Sequence, residues 1–240
     1  TTLEQAQIAK IDHLCRKLEL GPDTHLLEVG TGWGAFALHA AREYGCRVTT
    51  TTISKEQYDW AKKVIASAGL EDRVELLLED YRSLEGKYDR VVSVEMVEAV
   101  GADFLGEYFF TLGNLLKPGG MAAVQAITIQ DQDFERASRH IDFIKRYIFP
   151  GSCIPSVTAM CQAMTSDSDL KLVHLEDFTP HYATTLDRWS AALQAHHDEA
   201  RAMGLDDHFL RTWEYYFRYC EGGFVERHIG LVQMMLTKPK

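Results

Sequence analysis

The residues most able to do chemistry open with Glu28-Val29-Gly30-Thr31-Gly32-Trp33-Gly34. Glycines let a backbone turn sharply and approach a ligand closely, where any side chain would collide. The spacing is G-x-G-x-G, not the G-x-G-x-x-G of dinucleotide binders. Such binders also place an acid about 20 residues on, at the end of the second strand, to hold a ribose. That region here is Thr49-Thr50-Thr51-Thr52, without a carboxylate. NAD is therefore disfavoured, and an acid two residues before the first glycine fits a methyltransferase nucleoside loop, which holds no pyrophosphate. Ser54-x-x-Gln57 follows, and it reads as a helix capping box as readily as a ligand pair. The five cysteines are scattered without a C-x-x-C pair, which reads as small buried thiols in a reducing compartment. His196-His197 has no partner at ligand spacing, so no metal is assigned.

These residues need a scaffold, and short apolar runs alternating with helical patterns supply one. Leu26–Val29, Arg47–Thr51, Val74–Leu78, Val91–Val94 and Ala122–Ile127 read as strands. Helical stretches lie between them at 34–44, 54–68 and 103–116, and two late runs, 170–175 and 231–236, complete a seven-stranded set. The rhythm predicts an α/β fold with a doubly wound, mostly parallel, Rossmann-like sheet. An opening helix carries Ile8, Ile11, Leu14, Cys15 and Leu18 and stops at Gly21-Pro22. Residues 130–147 and 186–221 read as helical and aromatic-rich. They are expected to belong to cap insertions at about 128–168 and 186–228, over the carboxyl ends of the strands where open sheets bind ligands. The plainer role for those aromatics is filling a second core.

Further stretches are more specific: Thr52-Ile53-Ser54-Lys55-Glu56-Gln57, Asp80-Tyr81-Arg82, "SVEMVEAVG" at 93–101, "YIFPGSCIPS" at 147–156 and "HYATTLDRW" at 181–189. With the glycine loop they resemble the cyclopropane fatty acid synthase family, which includes the mycolic acid methyltransferases, from about residue 3 to the end. The resemblance implies the class I methyltransferase fold and S-adenosylmethionine as cofactor. By family position Glu28, Gly30, Gly32, Trp33 and Gly34 belong to the cofactor loop. Thr52 and Gln57 would hold the ribose, Asp80 and Tyr81 would flank the adenine, and Glu95 is grouped with this set. Tyr81 reads equally as a packed core aromatic.

The implied reaction is methyl transfer to the double bond of an unsaturated acyl chain on a phospholipid or carrier. An alkene is a weak nucleophile, so alignment matters and can supply ~7–11 kcal/mol. Attack leaves a carbocation, which aromatic faces stabilise by ~0.5–2 kcal/mol. A base must then remove a proton before a cyclopropane closes, and family members hold a bicarbonate ion for this. Glu98 matches the family glutamate, Ile127 the backbone amide and Tyr182 the hydroxyl donor, while the family histidine falls at Gln125. A second family histidine falls at Ala99, and the family cysteine would lie in a segment expected before Thr1. A methyl-branched chain, or methylation of a non-lipid small molecule, is the alternative outcome. Without the family, Glu98 reads as a carboxylate answering a helix N-terminus, and Gln125 as a strand residue bonding across a pocket.

The 240 residues carry a net charge of −10, which argues against nucleic acid as the main partner. No stretch reaches the ~18 apolar residues of a membrane span. The segment Phe134–Tyr147 interleaves Arg136, Arg139, Lys145 and Arg146 with apolar residues. It reads either as a basic edge for an anionic lipid surface or as a water-facing cap helix. The expectation is a cytoplasmic enzyme, peripherally associated with membrane, with homodimer assembly left open.

Overall fold

Aliphatic runs form β1 (His25–Val29), β2 (Arg47–Thr52), β3 (Val74–Leu78), β4 (Tyr88–Val94), β5 (Leu116–Ile129), β6 (Lys171–Asp177) and β7 (Ile229–Thr237). The computed structural model describes residues 1–240. The strands make one sheet in the order β3-β2-β1-β4-β5-β7-β6. β1 to β5 pair in parallel, and β7 is inserted antiparallel between β5 and β6. β1 has β2 on one side and β4 on the other, so the strand order reverses there and a crevice opens at the carboxyl edge.

Neighbouring strand residues face opposite sides of a sheet, and this divides the core into two layers. Leu26, Val92, Ala123 and Met235 pack with Ile11 and Leu14 of α1 (Leu3–Lys17), Phe36 and Ala37 of α2 (Ala35–Glu43) and Ala61 and Ile65 of α3 (Lys55–Ser67). Leu27, Val91, Val124 and Met234 pack on the other face with Tyr108, Phe109 and Leu112 of α4 (Leu105–Leu115).

The helical blocks depart from the sequence reading in detail. The 130–147 block is α5 (Asp131–Arg139), followed by a π-helical turn over Ile144–Ile148. It is followed by α6 (Val157–Asp167), which the periodicity did not single out. Met160 and Met164 of α6 are buried in the α4 layer, so that part of the expected insertion is a sheet-covering helix. The 186–221 block starts earlier, as α7 (Thr179–Ala195), because the Asp177 carboxylate accepts the Thr179 amide at 2.7 Å and Pro180 sits in the first turn. It is then divided into α8 (His197–Ala202) and α9 (Asp207–Val225), because Gly204 turns left-handed and Asp206 caps α9 through the Phe209 amide. Leu186, Phe217, Phe224 and Leu231 make the cap's own core, with Tyr182, Trp213 and Tyr216 packed against it.

The loop from β1 to α2 uses its glycines. Gly30, Gly32 and Gly34 have φ of 100°, 52° and 90°. β2 holds the loop from beside it: the Gly30 and Thr31 amides donate to the Thr51 carbonyl at 3.2 and 2.9 Å. The Thr50 hydroxyl donates to Glu28 Oε2 at 2.7 Å and also lies 2.7 Å from the Thr31 hydroxyl. A Cβ at Gly34 would stand 3.4 Å from the Ala61 Cβ on a backbone that L-residues rarely adopt. Gly34→Ala should therefore destabilise the fold by ~1–2 kcal/mol, read as a lowered urea midpoint; an unchanged midpoint would contradict the strain argument.

Candidate active site

A cavity of about 360 Å³ opens at the carboxyl ends of β1, β2 and β3. Of the expected cofactor set, Gly30, Thr52, Gln57, Asp80 and Tyr81 line it, joined by Met96 and Ala99. The Met96 side chain lies against Gly30, where a Cβ would come within 3.3 Å of its Cγ. The Thr52 hydroxyl donates to Gln57 Oε1 at 2.8 Å, which turns the glutamine's oxygen inward. The Ser54 hydroxyl caps α3 through the Gln57 amide at 3.2 Å, so only the serine half of the capping box forms. Asp80 is held by the Arg82 guanidinium at 2.7 and 2.9 Å, and that guanidinium keeps its carboxyl below the usual range. Tyr81 stands edge-on to Tyr108 with 5.9 Å between ring centroids, and burial pushes its phenol up to about 12. Glu28, Gly32, Trp33 and Gly34 do not line the cavity. Glu28 is buried beneath the loop, and Trp33 is exposed and edge-on to Trp60.

Two kinds of contact along the cavity suit a nucleoside methyl donor. The left-handed Gly30 backbone brings main chain to the wall, and a hydroxyl–amide pair (Thr52, Gln57) sits beside an aromatic ring with a neighbouring carboxylate (Tyr81, Asp80). These groups fit S-adenosylmethionine.

The expected catalytic set gathers beyond β4, and Glu95 joins it. Gln125 Nε2 donates to Glu95 Oε1 at 2.7 Å, and the Tyr182 hydroxyl donates to Glu95 Oε2 at 2.5 Å. The Ile127 amide donates to Glu98 Oε1 at 2.5 Å, and Glu98 Oε2 is buried without a partner. Glu95, expected with the cofactor residues, thus turns its carboxylate toward Gln125 and Tyr182. Glu98 stands in a short 3-10 turn, Val97–Ala99, so the helix-start reading of its charge has only one turn behind it.

Elements distant in sequence hold this cluster. β7 fixes the start of α7: the Phe178 amide donates to the Leu231 carbonyl at 2.8 Å, and the Leu231 amide donates to the Thr179 hydroxyl at 3.1 Å. Tyr182 therefore sits in the first turn of an anchored helix, stacked on Phe224 at 4.4 Å. Across the β5–β7 pair, Gln233 Nε2 donates to Gln125 Oε1 at 2.9 Å, and the Lys17 ammonium donates to Gln233 Oε1 at 3.0 Å. The sequence reading passed over Gln233 and Lys17. Their signal was an amide inside the apolar run 231–236, which matches Gln125 inside 122–127.

Burial, and then the charge of Glu95, push Glu98 up to about 8; burial alone does the same to Glu28, against its bond from Thr50. A carboxyl with a raised folded-state pKa favours folding below its unfolded pKa of about 4.5 and loses that contribution as pH rises through about 8. Glu98→Gln keeps an acceptor for Ile127 and removes the titration. The variant should gain stability relative to the parent between pH 5 and pH 9 (~1 kcal/mol or more) in paired urea melts. Parallel pH profiles would contradict the assignment.

The chain is similar to known proteins over nearly all of its length. A family model described as "Mycolic acid cyclopropane synthetase" matches residues 1–234. The chain is 39% identical over 239 residues to a tuberculostearic acid methyltransferase of Mycobacterium tuberculosis, covering 99% of this chain and 56% of that protein. It is 35% identical over 237 residues to the cyclopropane-fatty-acyl-phospholipid synthase of Escherichia coli K12, covering 98% of this chain and 59% of that protein. The chain thus spans somewhat under two thirds of these curated relatives. A crystal structure of a mycolic acid cyclopropane synthase complexed with SAH and CTAB superimposes with a TM-score of 0.92 at 31% identity, covering 99% of this chain and 86% of that one. With the sheet order and the cavity at its carboxyl edge, these matches show that the chain belongs to the mycolic acid cyclopropane synthetase family of S-adenosylmethionine-dependent methyltransferases.

Proposed function

We propose that the chain transfers a methylene unit from S-adenosylmethionine to the double bond of an unsaturated acyl chain of a phospholipid, closing a cyclopropane ring. The observation that carries this reading is a second, larger cavity of about 840 Å³ that shares Val100 and Phe104 with the cofactor-sized one. Its wall mixes apolar Phe134, Ile141 and Ala159 with charged groups of both signs, among them Asp103, Glu135, Arg139 and Lys145, which suits an acyl chain joined to a polar head group.

When bound, the cofactor supplies an electrophilic sulfonium methyl. Gly30 gives its methionine part close backbone contact, Thr52 and Gln57 hold its ribose, and Asp80 and Tyr81 its adenine, while Gly32 acts only through the turn of the loop. Glu28, Trp33 and Gly34 shape the loop. Val100 and Phe104 line both cavities, at the junction where an alkene must be aligned. The reaction must also dispose of a proton. The resemblance implies a bicarbonate ion, which would need the donors Gln125, Ile127 and Tyr182; each of them donates to a glutamate in this chain.

No helix is long and apolar enough to cross a membrane. We place lipid contact at the 134–149 edge, where Ile141 and Tyr147 are 77% and 62% exposed. Arg136 and Arg139 pair there with Asp133 and Glu135, so apolar contact outweighs charge at this edge.

A second reading has an observation of its own. Gln125 stands where a histidine is expected, and the tuberculostearic acid methyltransferase is named for methyl transfer rather than ring formation. In that case the cation loses a proton without ring closure and leaves a branched, still unsaturated chain. The test is incubation with methyl-labelled S-adenosylmethionine and vesicles of monounsaturated phosphatidylglycerol, followed by mass spectrometry and proton NMR of the acyl chains. Gain of one CH₂ with loss of the olefinic signals supports the ring. The same gain with olefinic signals retained supports the branch, and no labelled lipid refutes both. Gln57→Ala should weaken cofactor binding about 10-fold by calorimetry, the loss of roughly one neutral hydrogen bond.

A further inference from the structure

Every donor that would seat a free anion is engaged by a carboxylate of the chain itself. Gln125 and Tyr182 donate to Glu95, and the Ile127 amide donates to Glu98. The direction of this network is fixed from its far end. Lys17 can only donate, so Gln233 turns its oxygen to Lys17 and its NH₂ to Gln125, which must then present its own NH₂ to Glu95. The backbone makes a matching commitment. Glu95 is left-handed with φ 52°, and its amide donates to the Gln125 carbonyl at 2.8 Å. A non-glycine residue in that conformation is strained, and such strain gathers where the aim of a side chain matters.

The other groups of the cluster are unsuited to accept a proton at neutral pH. A glutamine amide has no capacity for one. Burial, and then Glu95, hold the Tyr182 phenol neutral, and burial keeps Glu98 largely protonated.

We propose that the Glu95 carboxylate is the proton acceptor, seated where a free bicarbonate would otherwise bind. The proposal rests on the function proposed above. The alkene π pair forms a C–C bond to the methyl carbon as that carbon's bond to sulfur breaks, the bonding pair stays on the sulfur of the departing S-adenosylhomocysteine, and the adjacent alkene carbon is left cationic. A C–H bond of the added methyl then breaks, its electron pair closes the ring onto that carbon, and the proton passes to a Glu95 oxygen. It leaves to water after product release, and no oxidant or reductant is needed. For the branched product the same carboxylate takes the proton without ring closure.

The test compares the parent chain, Glu95→Gly and Glu95→Gln, with folding checked by circular dichroism. Glycine relieves the left-handed backbone and empties the seat. The parent should transfer methylene to monounsaturated vesicles at the same rate, within a factor of two, in bicarbonate-stripped and bicarbonate-supplied buffer. Both variants should lose on the order of 10²-fold or more, and bicarbonate or formate should restore Glu95→Gly at least 10-fold. Independently of turnover, ¹³C-bicarbonate should show saturable binding by NMR to Glu95→Gly and none to the parent. A parent rate that falls 10-fold without bicarbonate, or saturable bicarbonate binding to the parent, overturns the assignment to Glu95 and leaves the proposed function standing. Absence of acyl transfer by the parent in either buffer overturns the proposed function, and the assignment with it.

Discussion

A carboxylate can be kept in a protein interior only where donors meet it, and this requirement organises the site. Two glutamates three residues apart follow β4, and their needs recruit groups from every part of the chain. Gln125 comes from β5, the Ile127 amide from the same strand two residues on, Tyr182 from the cap, and Gln233 and Lys17 from behind. The sheet register serves this arrangement: Val94 stands beside Gln125, and Gln125 beside Gln233, so the amides stack across adjacent strands. The two carboxylates also divide the labour electrostatically. Glu98, with one oxygen unpartnered, answers burial by holding its proton, which leaves the paired donors to Glu95.

The methyl-donor half follows a different logic. A loop that must approach a ligand with bare backbone cannot brace itself with side chains, so β2 braces it. The threonine run, notable in the sequence for lacking an acid, has a positive use: Thr50 holds Glu28, the Thr51 carbonyl takes two loop amides, and Thr52 orients Gln57. The plain reading of these residues as strand formers and the functional reading are compatible, because β-branched hydroxyls do both.

Much of this was legible in the sequence. The seven strands came from apolar runs, and of the residues read as one cofactor set, Gly30, Thr52, Gln57, Asp80 and Tyr81 line one cavity. What periodicity missed was of two kinds. α6 has a weak apolar face that only its packing on α4 makes meaningful, and α7 starts on a side-chain contact from Asp177. Long-range pairing is the other kind: nothing near Glu95 in the chain announces that Gln125 and Tyr182 will meet it, since those partners lie 30 and 87 residues away. The aromatics divide in both directions, with Phe217 and Phe224 buried as a second core and Tyr215 and Tyr219 left exposed.

The place of β7 has a consequence for the order in which the molecule is made. It is the last strand in sequence, yet it lies inside the sheet, and β6 touches the rest of the sheet only through it. A ribosome-bound chain therefore has every residue around the smaller cavity, the last of them Glu107, well before it has Gln233 or the anchor for α7. During that interval the nascent domain has the walls of that cavity but not the partner that orients Gln125, and its unpaired β5 edge offers a docking line to any other extended segment. The orientation of Gln125 and the cover of the β5 edge arrive together, with β7.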